Sequence, residues 1–138
     1  MRFTRPLSVT LLALAVLTFA SLNLLRFIEV IRLWSFLKEH LSIPPLYLAL
    51  SGAAWGGVGL FIAWGLWRGK RRMSTFVVFF VLAYSIYYWI DRLWVVAEKA
   101  ANWPFAVGVN IAMLSFVFLT LRRSQARAFF GDLHEYRN

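Results

Sequence analysis

Four apolar runs, each long enough to cross or nearly cross a bilayer and each bounded by charge, constrain this chain more than anything else in it. The clearest is Leu46 to Trp67, 22 residues entered through Pro44 and Pro45 and closed by Arg68-Gly69-Lys70-Arg71-Arg72. As a helix rising ~1.5 Å per residue it spans ~33 Å, enough for a hydrocarbon core of ~30 Å. Leu7 to Leu25 follows Arg2, Arg5 and Pro6, the last suited to a first helical turn. Ser74 to Ile90 has only 17 residues before Asp91 and Arg92, so it is short or carries charge inward. Trp103 to Leu121 opens with Asn102 as a possible N-cap and Pro104 in the first turn, and closes at Arg122-Arg123.

A water-facing exterior is not available to such a chain. Only 15% of its residues are charged, against roughly 25% in an ordinary soluble domain. The 61% hydrophobic content lies in the runs rather than in an alternating or amphipathic pattern. The expected fold is an all-α integral membrane four-helix bundle, one domain over 1–138, with spans at 7–25, 46–67, 74–92 and 103–121. The first run superficially resembles a signal peptide, with Thr18-Phe19-Ala20 as a weak cleavage site. It is longer than a usual signal core and apolar sequence continues past it, so a retained helix is expected.

Orientation follows from the basic residues. Arg2, Arg5, Arg68, Lys70, Arg71, Arg72, Arg122, Arg123, Arg127 and Arg137 fall on one side of a four-span chain, and Arg26, Arg32, Lys38, Arg92 and Lys99 on the other. Ten against five predicts both termini inside, in a cell (inner or plasma) membrane. The net charge of +9 therefore serves topology and anionic headgroups, and nucleic-acid binding is not expected.

Two segments fit neither span nor loop. In 26–41, Arg26, Glu29 and Arg32 recur among Phe27, Ile28, Ile31, Trp34 and Leu37, which predicts an amphipathic extension on the outer side, lying in the interface or prolonging the first helix. The tail, 122–138, sets Phe129 and Phe130 among charges before Gly131 and is expected on the inner leaflet. There is also an internal echo. Arg32-Leu33-Trp34, Lys38-Glu39 and Pro44 return sixty residues later as Arg92-Leu93-Trp94, Glu98-Lys99 and Pro104. Duplication of a helical hairpin would leave that trace, and so would coincidence in so biased a chain.

Small residues mark a packing face. Gly52 with Gly56 and Ala53 with Gly57 are small-xxx-small pairs, and Gly108 with Ala112 forms another in the last span. Backbones can approach closely at such pairs, here between the second and fourth spans or in a homodimer seam. Alternatively, the groove left by the glycines beside Trp55 could take a lipid tail or apolar ligand. Tyr84, Tyr87, Tyr88 and Trp89 suit an interfacial aromatic belt. Asp91 and Arg92 are then snorkelling ends, or, if the third helix runs on to about Ala97, they pair with Arg26 and Glu29 around an outward-facing polar pocket. Asn110 is the one amide clearly inside the last span, suited to an interhelical hydrogen bond.

Missing residues exclude whole classes. Without cysteine there is no disulfide framework, thiolate site or redox dithiol, so four-helix thiol oxidoreductases are ruled out. His40 and His134 fall on opposite sides, so they cannot jointly ligate a membrane haem, and no cofactor is expected. No metal-binding cluster, catalytic triad or phosphate-cradling loop can be assembled. Small multidrug-resistance transporters have this length and helix number but carry an acid in the first span, and Leu7 to Leu25 has none. Arg5-Pro6-Leu7-Ser8-Val9-Thr10-Leu11-Leu12-Ala13 resembles the opening of assorted small four-helix bacterial membrane proteins. That resemblance implies a membrane bundle and transfers no functional residue. The expectation is a non-enzymatic protein acting by association with itself or with other membrane subunits. The alternative is a small carrier or binder of a lipid or apolar molecule.

Overall fold

A computed structural model describes residues 5–95 and 103–123, together with Phe129. Asn102, the Glu98-Lys99 half of the echo, and the tail beyond Arg123 apart from Phe129 lie outside the described residues. The described chain is helical: α1 (Leu7–Arg32), α2 (Trp34–His40), α3 (Pro45–Trp67), α4 (Met73–Ile90), continued by a π-helical turn (Asp91–Val95), and α5 (Trp103–Arg122). Four of these helices are long and apolar enough to cross a membrane.

Helix α1 has 26 residues without glycine or proline, so it reaches ~39 Å and outruns a hydrocarbon core of ~30 Å. Three of its polar residues satisfy themselves locally. Thr18 and Ser21 donate to the carbonyls of Leu14 and Leu17 at 2.9 and 2.8 Å, and Asn23 Nδ2 to that of Phe19 at 3.0 Å. Such back-bonding lets hydroxyls and amides sit in an apolar segment. The expected amphipathic stretch is divided: Arg26 to Arg32 prolong α1, and the chain then bends at Leu33 (φ −100°, ψ 20°) into the separate α2. No side chain of α2 is fully buried, Trp34 and Leu37 being half-buried.

Helix α3 starts at Pro45, behind Pro44, whose carbonyl accepts the Tyr47 N–H at 3.1 Å. At its far end Gly69 has φ 67°, donating to the Leu66 carbonyl, while Lys70 N–H reaches that of Gly65, both at 3.1 Å. These paired bonds form a Schellman stop that needs the left-handed residue, and they let α4 begin at once. The third span does not end at Ile90. The helix carries Asp91 and Arg92 on its last turn, making Met73 to Leu93 a 21-residue candidate span.

Successive long helices run antiparallel. Gly52 lies beside Asn23 and Phe27, and Gly59 beside Ala20; at the other end the Arg5 guanidinium stacks 3.8 Å from the Trp67 ring centre. Met73 seats against Gly65, Tyr47 against Asp91, and Ser85 against Asn110. The start of α1, the α3–α4 turn and the end of α5 therefore share one end, which holds Arg5, Arg68, Lys70, Arg71, Arg72, Arg122 and Arg123. The buried apolar cluster lies toward this basic end, built from Val9, Leu12, Val16, Leu66, Val77 and their neighbours.

The glycine face of α3 meets α1, where the small-residue pairs suggested α5 or a second copy. A Cβ on Gly52 would stand 2.9 Å from the Asn23 carbonyl oxygen. On Gly56 it would stand 2.7 Å from Leu24 Cδ2, and on Gly59 2.9 Å from Ala20 Cβ. Lipid tails are as apolar as leucine, so helices cohere in a membrane by close contact rather than by escape from solvent. Glycine spacing supplies that contact here. Among the described residues nothing lies within 4 Å of such a Cβ on Gly57 or Gly108, and Ala112 is exposed.

Candidate functional site

Polar and aromatic chemistry collects at the end opposite the basic one. Tyr47, Ser51 and Trp55 recur every four residues along α3, while Phe80, Tyr84, Tyr87 and Asp91 form a stripe on α4. The stripes face each other. Trp55 lies 5.5, 5.0 and 5.2 Å from the rings of Phe80, Tyr84 and Tyr87. Phe19 of α1 closes the cluster edge-on, 5.7 Å from Phe80 and 4.4 Å from Tyr84. Edge-to-face stacking of this kind adds about 0.5–1.5 kcal/mol per pair beyond area burial, so the cluster is a rigid wall.

Above that wall, Tyr47 donates its hydroxyl proton to Asp91 Oδ1 at 2.6 Å, and the Tyr87 hydroxyl lies 3.4 Å from the same tyrosine oxygen. A carboxyl group near the end of a candidate span thus has a partner on the neighbouring helix. Arg92 points elsewhere, its Nη1 donating to the Tyr88 hydroxyl at 2.8 Å with the guanidinium 5.9 Å from that ring. The π-helical turn that begins at Asp91 shifts the register at this point, a feature frequent at functional positions.

The anticipated ring of Arg26, Glu29, Asp91 and Arg92 does not assemble as one pocket. Arg26 is half-buried and close enough to Tyr84 to act on it electrostatically. Glu29 pairs with Arg32 at 3.6 Å, both well exposed on α1. Trp55 is committed to the α4 rings, and Gly52, Gly56 and Gly59 are covered by α1, while Gly57 faces outward.

Asn110 accepts a hydrogen bond from Ser85 at 3.0 Å, joining α5 to α4 in mid-span. Alongside runs a groove of about 490 Å³ lined by Trp89, Ile90, Leu93, Val107 and Ile111, with Ser85 and Asn110 in its wall. Neither Tyr47 nor Ser85 stands out in the sequence, since a tyrosine in a first turn and a serine in an apolar run are both ordinary. The signal for Tyr47 was antiparallel depth: the first turn of α3 and the last of α4 meet at the same level. Among the described residues no group of three or more His, Asp or Glu could hold a metal ion. No protein family matches this chain, and no curated protein or solved structure matches it either.

Proposed function

We propose that this is a non-enzymatic, multi-pass protein of the inner or plasma membrane, a four-helix bundle with both termini in the cytoplasm. It works by association, as an accessory or structural subunit or as a homo-oligomer. The single observation that carries the reading is the open side of α5. Gly108 and Ala112 sit on it uncovered, next to the α4–α5 groove, whereas Gly52, Gly56 and Gly59 of α3 are filled by α1 and, among the described residues, Gly57 on the far face of α3 borders no groove. Small residues facing lipid gain little; facing another helix they permit close approach. The occupant of this side is therefore a transmembrane helix. The aromatic wall and the Tyr47–Asp91 bond support a structural role for the opposite end.

The chain has no cysteine, so a single introduced thiol reports cleanly. Gly108→Cys should cross-link to a partner in native membranes, with Gly57→Cys as the comparison on an exposed site of α3. No product at Gly108, or equal product at both, would refute the reading. A second reading, a carrier or binder of an apolar molecule, is supported by the groove of about 490 Å³, a volume in the range of small-molecule sites. In that case filling the groove with Val107→Trp should abolish transport or ligand stabilisation without altering the particle's mass.

A further inference from the structure

A second groove, of about 390 Å³, opens between α1 and α5 at the basic end, lined by Leu7, Ser8, Leu11, Phe116, Leu119, Thr120 and Arg123. Its polar wall is unlike that of the other grooves. Ser8 is only 9% exposed, and among the described residues its hydroxyl has no hydrogen-bond partner. Thr18 and Ser21, deeper in the same helix, bond the carbonyl four residues back. Ser8 lies in the first turn, and the residue four back from it, Thr4, lies outside the described residues. An unpartnered buried hydroxyl is costly in an apolar setting and calls for a partner beyond the described residues.

The surroundings specify its charge. The ladder of α1 starts with Val9 and Thr10 N–H on the Pro6 carbonyl, so the N–H groups of Leu7 and Ser8 precede it at the positive end of a long helix. Thr120, 4% exposed, adds a second hydroxyl, and Arg123 stands exposed at the rim as a cation able to swing over the mouth. N–H groups, two hydroxyls and a guanidinium fit the oxygens of a phosphate. Below them the groove is apolar, along Leu11, Phe116 and Leu119.

We propose that this groove holds one anionic phospholipid, its phosphate at Ser8, Thr120 and Arg123 and one acyl chain along Leu11 and Phe116. Diffuse attraction by the other cations of the basic end would concentrate anionic lipid nearby, but among the described cations only Arg123 lines the groove. A free phosphate would use the same polar groups and leave the apolar length empty.

Native mass spectrometry of the purified full chain in non-ionic detergent tests this, with dioleoyl phosphatidylglycerol, dioleoyl phosphatidylcholine or inorganic phosphate added. One phosphatidylglycerol per chain should be retained in preference to the other two. Arg123→Gln and Ser8→Ala should each weaken retention roughly tenfold, the scale of one charge-assisted hydrogen bond. Arg71→Gln, at the same end but outside the groove, should leave it unchanged. Ser8→Ala deletes a hydroxyl that lacks a partner, so the lipid-free protein should be at least as heat-resistant as wild type while binding less lipid. Equal losses at Arg71 and Arg123 would reduce the effect to diffuse attraction and overturn the site. Unchanged retention in Ser8→Ala, equal retention of phosphatidylcholine, or comparable binding of inorganic phosphate would also overturn it.

Discussion

The α1–α3 and α4–α5 pairs are both antiparallel apolar hairpins, yet they hold together in different ways. In the first, Gly52, Gly56 and Gly59 let the backbone of α3 rest against Ala20, Asn23 and Phe27, and Arg5 over Trp67 fastens the far end. In the second, the bond from Ser85 to Asn110 crosses mid-span beside an open groove, and Gly108 faces away from the rest of the chain. The echoed Arg-Leu-Trp triplets fall at matching places, each past the same end of the leading helix: at the Leu33 bend after α1 and in the π turn after α4. Position in the hairpin is thus shared while contact is not. What separates a closed pair from an open one is whether the small residues find a backbone to touch.

The comparison breaks most severely at the glycines. Gly52→Leu or Gly56→Leu drives a side chain into α1 and should cost about 3 kcal/mol or more of stability, read from thermal or denaturant unfolding in detergent. Gly57→Leu and Gly108→Leu, with open space at the same chemistry, should stay within about 0.5 kcal/mol in the monomer. Equal losses at all four would mean the α1–α3 seam is not special. Next in size is Tyr47→Phe, which strips Asp91 of its partner and should cost about 1–3 kcal/mol, with Asp91→Asn partly rescuing the loss. No coupling in that double-mutant cycle would remove the bond as a link between α3 and α4. Gly69→Ala forces a left-handed backbone on a residue with a Cβ and should cost about 1–2 kcal/mol. The Ser85–Asn110 cycle sets the scale of the open pair: about 0.6 kcal/mol, the mean for hydrogen bonds within membranes.

The four spans were legible because hydropathy is a property of segments: the structure has helices within a few residues of the last three, while α1 begins where expected and continues past Leu25 to Arg32. The start of α3 at Pro44 and Pro45 was legible too, whereas its stop at Gly69 lay unmarked within the cationic run that closes the span. Pairing was not. A small-xxx-small motif states that a backbone can approach, not which one, and the partner of Gly52 and Gly56 proved to be α1 rather than α5. The polar cluster failed for a related reason. Arg26, Glu29, Asp91 and Arg92 share an end of the molecule, but each side chain's direction follows its helix phase. Glu29 therefore meets Arg32 along α1, while Asp91 meets Tyr47 across to α3. Side chains adjacent in depth need not be adjacent in angle.

Membrane orientation has its own check. Thiols introduced as Ser35→Cys and Ser124→Cys should label from opposite faces of the membrane, and labelling from the same face would overturn the four-span topology.

The most direct test of an open α5 face is the mass of the particle released from native membranes by mild detergent, for wild type and for the double substitution Gly108→Leu with Ala112→Leu. The wild type should run above the mass of one chain plus its detergent belt, and the double variant should fall to a folded single chain. A wild-type particle that is already a single chain, or a double variant of unchanged mass, would contradict it.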